Sequence, residues 1–432
     1  MIFGKHQDNT IVQFKEYAET ATKSALLADG HYGCVAPVGS VWAHPNKIQL
    51  NGIGPDAACG NCAVKTDIQL HDTVEDGVTE VRNSKNLNAI ADKIAREIKF
   101  GMGATMNGKG PSDDLLFESD AWKIFPKEYK DSIRDTAKQQ IGSCGSGNHY
   151  CDVFVGTDGF LWVGNHFGSR GFGYKLAKHF MALGQGLGWD GKAKEIFTTL
   201  DMNTQLGQDY YQLLNLAGAY AYAGREWVAK TVVDVFGGKI TDTVHNHHNF
   251  TWLERHDGEL LYVTRKGATP AAPHQRGFVG GSMGDNAVIL EGSETAYPEN
   301  VYVFDFNDQD IRKGQKGSLY STVHGAGRVM SRTEAMGKID RKTGKLKINK
   351  ETGEISKAGK ITQEMLDVWM TDADVILRGS GVDEAPFCYR RLPDVLAEQG
   401  PTINVLETLK PIIVVMAGAD EKDHYRIVED PN

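Results

Sequence analysis

Residues 54–62 read Gly54-Pro55-Asp56-Ala57-Ala58-Cys59-Gly60-Asn61-Cys62, a carboxylate and a thiol three apart in a loop that opens on glycine. A loop turning between small residues lets both side chains point inward, so Asp56 and Cys59 can converge on one cation. The same residues also read as ordinary buried thiols, because one Cys-x-x-Cys without a second pair makes a poor zinc site. Around this loop, the glycine-rich apolar runs of residues 28–63 read as strands and tight turns.

Histidine usage bears on the choice. The chain has 14 His, and they cluster: His149 follows Gly145-Ser-Gly-Asn148, His166 sits in Gly164-Asn-His-Phe-Gly-Ser-Arg170, and His245-Asn-His247-His248-Asn249 holds three. Neutral imidazole is the commonest metal ligand, and adjacent glycine lets an ion or substrate approach closely. Each histidine alone reads as a satisfied polar residue. Several in glycine-framed loops, together with Asp56 and Cys59, favour a metal centre. Mixed Asp, Cys and His donors suit Zn, Mn, Fe or Co rather than an oxygen-only Mg or Ca cage. One thiolate can bridge two ions, and paired ions serve phosphoryl transfer.

A third stretch, Val323-His324-Gly325-Ala326-Gly327-Arg328-Val329-Met330-Ser331-Arg332, sets a histidine before a glycine-rich turn and two arginines. Backbone N–H groups in such a turn can cradle phosphate, arginine can clamp it, and imidazole can attack it. Gly280-Gly281-Ser282-Met283-Gly284 and Arg265-Lys266-Gly267-Ala268-Thr269 read either as phosphate loops or as tight β-turns.

Composition bounds the rest. With 432 residues, 41% hydrophobic and 24% charged, the chain can bury a large core, which excludes disorder and a disulfide-stapled miniature. A net charge of −9 argues against a protein that coats nucleic acid by charge alone, while leaving room for a narrow basic channel. Six cysteines in no repeating framework argue against a disulfide scaffold. No segment is apolar and uncharged long enough to cross a bilayer, and the N-terminus lacks a signal-peptide pattern, so a soluble cytoplasmic protein is expected.

Helical spacing is read over residues 8–28, 84–100, 120–139, 174–183 and 208–235, and strands around 153–155, 161–163, 260–263 and 301–304. The expected class is mixed α/β without internal repeats. Residues 337–359, rich in Lys and Gly, read as an exposed basic hairpin inserted into the core fold, either a solvated edge ribbon or a contact for RNA.

In this order the motifs resemble the RtcB family of RNA ligases over residues 29–415. The resemblance rests on Asp29-Gly30-His31 with Val38-Gly39, Asp56-x-x-Cys59-Gly60, Gly147-Asn148-His149, His166-Phe-Gly-Ser-Arg-Gly171 and His248-Asn249. Arg265-Lys-Gly-Ala-Thr269, Gly281-Ser-Met-Gly284, His324-Gly-Ala-Gly-Arg328 and Glu384-Ala-Pro386 complete it. It implies a single catalytic domain over 1–432, with mixed sheets around a central metal pocket flanked by helices. It also implies two Mn²⁺ ions, one on Asp56, Cys59 and His149 and the other on Cys59, His166 and His248, with Cys59 as the bridge. His245 and His247 are read as bystanders, and Glu254 and His256 match the family residues after His-Asn. Mn²⁺ is the weakest binder of its series, so Zn or Co would compete in vitro.

His324 matches the histidine that the family guanylylates with GTP, and Asp29 and Arg328 join it as catalytic residues. Nucleotide contacts fall on Asn148, Asp152, Ser282, Met283, Gly284, Gly325, Ala326, Gly327 and Tyr389. The implied reaction joins an RNA 3′-phosphate or 2′,3′-cyclic phosphate to a 5′-hydroxyl through an RNA-(3′)pp(5′)G intermediate, in tRNA splicing or RNA repair, with an activating protein as an open partner. Three departures mark a divergent member. Asp152 stands where the family has Glu, Thr264 where it has His, and Met416 where a Lys contacts guanine. The chain then runs on as a tail, residues 417–432, whose Lys422 is the candidate replacement. The competing readings are a metal-dependent RNA-end phosphoesterase without nucleotidylation and a non-catalytic RNA-end binder with a structural metal.

Overall fold

A computed structural model describes residues 1–70, 86–294, 315–340, 346–349, 352–419 and 421. Its sixteen strands are β1 (Lys23–His31), β2 (Val38–His44), β3 (Lys47–Gln49), β4 (Gly60–Gln69), β5 (Tyr150–Gly156), β6 (Phe160–Phe167), β7 (Thr199–Asp201), β8 (Ile240–His247), β9 (Asn249–His256), β10 (Glu259–Lys266), β11 (Ala268–Pro270), β12 (Arg276–Val279), β13 (Ala287–Gly292), β14 (Ser321–Val323), β15 (Ile376–Ser380) and β16 (Ile403–Gly418). The main sheet runs β12-β13-β16-β5-β6-β4-β8, antiparallel throughout, with β15 alongside β16 in parallel. A second sheet, β1-β2-β10-β9, and two ribbons, β11-β14 and β3-β7, complete the mixed α/β architecture.

The long helix Gln205–Phe236 lies across the main sheet. Thr204 caps its start by accepting from Gly207 N–H, and Gly237, at φ 74°, closes it. Its buried Val228, Ala229, Val232 and Val233 share a core with Val64 of β4, Cys151 and Val153 of β5 and Val163 of β6. The other half of the helix, through Leu213, Leu214, Ala217 and Ala221, packs with Phe172, Leu176, Phe180 and Trp122 in a larger core.

Two expected helices differ from those observed. The first spans only Asp8–Ala18, and residues 23–31 are β1. Ala25-Leu26-Leu27-Ala28 is buried on both faces, so it shows no strand alternation and mimics a helix in sequence. The segment at 120–139 splits into a 3₁₀ turn, Asp120–Ile124, and a helix, Lys127–Gln140, because Pro126 favours extended backbone before it and suits a helix start. The helices Leu87–Glu97 and Arg170–Gly184 fall within a few residues of expectation, while the strand expected at 301–304 lies outside the described residues.

In the basic segment, Gly337 pairs with Ala358, Ile339 with Leu346 and Ile348 with Ile355, so three short pieces close on one another rather than forming one hairpin. Residues 341–345 and 350–351 of it lie outside the described residues, as does Lys422. Among the described residues, no helix is long and apolar enough to cross a membrane.

Candidate active site

Antiparallel alternation brings the chemistry to one end of the main sheet. Cys59 immediately precedes β4, His149 precedes β5, His166 lies near the end of β6, and His248 follows β8. The register pairs Gly60 with both Phe167 and His247, and His166 with both Asn61 and Tyr150, which sets these four residues side by side. β4 passes so close to β8 that a Cβ on Gly60 would sit 2.1 Å from the Asn246 carbonyl oxygen.

Cys59 Sγ lies 3.5 Å from His149 Nε2 and 3.4 Å from His166 Nε2, and His149 Nε2 is 3.1 Å from Asp56 Oδ2. Two trios emerge, Asp56–Cys59–His149 and Cys59–His166–His248, each with donor atoms within 4.8 Å of one another and Cys59 common to both. These are the two sets that the resemblance pairs. Cys59, His149, His166 and His248 are buried, and Nδ1 of His149 and of His248 has no hydrogen-bond partner. Thiol, imidazole and carboxylate donors crowded this closely and largely buried fit a divalent cation.

Electrostatics agree with the geometry. Burial, reinforced by neighbouring imidazoles, holds His166 and His248 well below the ordinary histidine range, so both are neutral. Burial and the Asp56 charge push the Cys59 thiol up, the cost a bound cation would reverse. Burial also pushes Asp56 up, but His149 and Cys59 outweigh it and leave the carboxyl well below the usual carboxylate range.

His324 follows β14, whose partner β11 is joined to β10 by Gly267 at φ 59°. A Cβ on Gly267 would lie 2.9 Å from the His324 ring, so only glycine fits. Asp29, fully buried in β1, accepts from His324 N–H at 2.9 Å and from His324 Nδ1 at 2.6 Å. A carboxylate only accepts, so the Nδ1 proton is fixed and Nε2 is left with its lone pair. The His248 and His324 rings are 4.9 Å apart, which places the candidate nucleophile beside the second trio.

Around these groups opens a cavity of about 440 Å³. Asn148, Asp152, Ser282, Met283, Gly325, Ala326, Gly327, Arg328 and Tyr389 line it, as expected positions. Gly284 does not line it and packs beneath Trp369, where a Cβ would meet the indole nitrogen at 2.9 Å. Met416 and Val414 line the cavity with Asp152, whose carboxyl burial pushes well above its ordinary range. Thr264 is buried away in a hydroxyl pair with Thr251 at 2.8 Å.

Arg328 is committed to holding the turn. It donates to Met330 O at 2.7 Å, to the Asp383 carbonyl, to Glu384 Oε2 at 3.2 Å and to Tyr389 OH at 2.9 Å. Arg332 pairs with both Asp383, at 2.5 Å, and Glu384. Asp383, which holds Arg328 through its backbone carbonyl and Arg332 through its carboxylate, was not among the expected site residues, although its neighbour Glu384 stood in a recognised motif. Lys266 also lines the cavity; its Nζ donates to Cys34 O at 3.1 Å and Ala36 O at 2.8 Å, and burial pushes it down to about 8. Only its place in the Arg265-Lys266-Gly267 turn hinted at this.

Comparison with known proteins agrees with this geometry. The family model described as tRNA-splicing ligase RtcB matches residues 11–417. The RNA-splicing ligase RtcB of Escherichia coli K12 is 26% identical over 90% of this chain and 89% of its own length. The tRNA-splicing ligase RtcB of Thermococcus kodakarensis is 27% identical over 72% and 74%. With a family match that spans nearly the whole chain and two donor trios meeting at one cysteine, this chain belongs to the RtcB family of tRNA-splicing ligases.

Proposed function

We propose that this chain is a GTP- and Mn²⁺-dependent RNA ligase that joins a 3′-phosphate or 2′,3′-cyclic phosphate end to a 5′-hydroxyl end, with His324 as the nucleotide carrier. The observation that carries this reading is the Asp29–His324 pair. The Nδ1 proton is held by a buried carboxylate, and the bare Nε2 belongs to a ring on the cavity wall beside the two donor trios.

Nε2 attacks the α-phosphorus of GTP, a P–N bond forms as the P–O bond to pyrophosphate breaks, and the Nδ1 proton stays on Asp29's hydrogen bond. The RNA 3′-phosphate oxygen then takes the guanylyl group, and the imidazole departs with its lone pair restored. The 5′-hydroxyl finally attacks the activated 3′-phosphate, its proton passing to solvent, and GMP leaves. A cyclic phosphate is opened first by water. Asp56, Cys59 and His149 would hold one cation and Cys59, His166 and His248 the other, supplying Lewis acidity that neutralises charge on the phosphoryl oxygens.

Asn148, Ser282, Met283, Tyr389 and the Gly325–Gly327 turn, which line the cavity, would bind the nucleotide, and Lys266 lines the same wall. At the Asp152 end Met416 offers no charge, so we propose that guanine selectivity is looser here than a lysine would allow. The test is a joining assay with one RNA ending in a 3′-phosphate and another beginning with a 5′-hydroxyl. Joined product that requires GTP, Mn²⁺ and His324 is expected. Opening of a cyclic phosphate without nucleotide consumption or joining would instead establish a metal phosphoesterase.

A further inference from the structure

Arg225, in the middle of the long helix and followed directly by Glu226, is fully buried. Its guanidinium meets two carbonyls and two imidazoles. Nη1 donates to Ala58 O at 3.0 Å and to Phe167 O at 2.6 Å, Nε donates to His245 Nε2 at 2.8 Å, and Nη2 donates to His247 Nδ1 at 3.0 Å. None of the four partners is a carboxylate. A buried cation with no carboxylate in direct contact costs several kcal/mol, and such a residue persists where its geometry is needed.

The partners explain the need. Ala58 precedes Cys59, Phe167 follows His166, and His247 precedes His248, so each member of the second trio is one residue from an Arg225 contact. Ala58 itself sits at φ 58°, the left-handed region that a residue with a Cβ rarely occupies, and its carbonyl is held there by Arg225. Guanidinium only donates, so in these contacts His245 Nε2 and His247 Nδ1 are the acceptors; His247 Nδ1 also lies 3.1 Å from the Ala58 carbonyl oxygen that Arg225 holds. His245 is then free to donate from Nδ1 toward Glu226 Oε1 at 3.4 Å. Tyr222 braces both rings, with centroids at 4.0 Å and 4.1 Å. Asn165, beside His166, donates to the Arg225 carbonyl at 3.0 Å, tying β6 to the helix a second time.

We infer that Arg225, with His245 and His247 as its acceptors, is the positioning residue that holds Cys59, His166 and His248 at the spacing a cation requires. The inference rests on the metal reading proposed above. It gives the two histidines read as bystanders a task, since they terminate the network that fixes the ligands. Lysine cannot replace it, because one ammonium cannot span four acceptors arrayed around a planar fork.

The test is Co²⁺ binding to the full-length chain, read by the thiolate-to-cobalt absorption band and by titration, alongside thermal melting. Arg225→Lys is expected to fold, to lose about 10- to 100-fold in affinity for one Co²⁺ equivalent, and to shift the thiolate band. Arg265→Lys removes a comparably buried guanidinium that binds Glu254, and is expected to lower the melting temperature without changing the Co²⁺ spectrum. If Arg225→Lys does not fold, His247→Phe decides. It keeps the stack on Tyr222 and Phe250 but removes the acceptor, and is expected to weaken Co²⁺ binding several-fold. Wild-type affinity and spectrum in whichever variant folds would overturn the positioning role alone. A wild-type chain that binds no Co²⁺ would overturn the metal reading and this inference together.

Discussion

Replacing Asp29 by Asn probes the pairing on which the proposed role of His324 as nucleophile depends. Asp29 Oδ2 accepts from the ring Nδ1 of His324 at 2.6 Å, from its backbone N–H at 2.9 Å and from Gly325 N–H at 3.4 Å, all from one buried carboxylate oxygen. A hydrogen bond to a charged group contributes roughly 1.5–3 kcal/mol. At 1.36 kcal/mol per decade this corresponds to about 10- to 100-fold in the rate of histidine nucleotidylation. Asparagine adds a second penalty when its NH₂ faces the ring, because it then donates to Nδ1 and moves the proton to Nε2, the atom that must attack. The loss is therefore expected at or above the upper end of that range. Single-turnover transfer of label from GTP to the protein, at saturating Mn²⁺, measures it directly. Asp29→Asn protein that folds and is labelled within twofold of the wild-type rate would refute the tautomer argument.

Further outcomes follow from other contacts. Cys59→Ala removes the donor common to both trios, so bound metal measured by mass spectrometry should fall at both sites together, whereas His248→Ala should cost only one ion. Gly60→Ala drives a Cβ to 2.1 Å from Asn246 O and 2.7 Å from His247 Cα, so the β4–β8 pairing must shift. The expected cost is about 1–3 kcal/mol or more, with reduced metal binding, and an unchanged melting curve would contradict it. Glu254, between Arg265 and His256, is pushed up by burial but drawn down by Arg265 to about 2 from an ordinary 4.5. Its depressed value stabilises the fold by about 3 kcal/mol, present above pH 4.5 and lost as pH falls toward 2. The stability gap between wild type and Glu254→Gln should narrow across that window, and a pH-independent gap would count against it.

How far the sequence could be read depended on whether the information was local. Cys59, His149, His166 and His324 each stand in a glycine-framed motif and His248 in a histidine run; the structure gathers the first three and His248 at one end of the main sheet and sets the His324 ring beside His248. Their convergence was not legible from spacing, because β4 pairs with strands about 100 and 180 residues further along the chain. Arg225 left no signal, since an arginine beside Glu226 in a helix that also carries Lys230 and Asp234 reads as part of a solvent-facing charged stripe. The β1 segment misread as helix because burial on both faces erases the period that distinguishes strand from helix. Gly284, expected among the nucleotide contacts, lies off the cavity wall that its motif neighbours Ser282 and Met283 line, and its packing against Trp369 has no local mark in the sequence.

The measurement that tests the central claim most directly is intact-protein mass spectrometry after incubation with Mn²⁺ and GTP, or Mn²⁺ and ATP, on wild type and His324→Ala. A guanylyl adduct on the wild type that is absent from His324→Ala is the expected result, and an additional adenylyl adduct would show the looser base selectivity proposed for the Met416 wall. Folded, metal-loaded wild-type protein that acquires no adduct from either nucleotide would contradict the account.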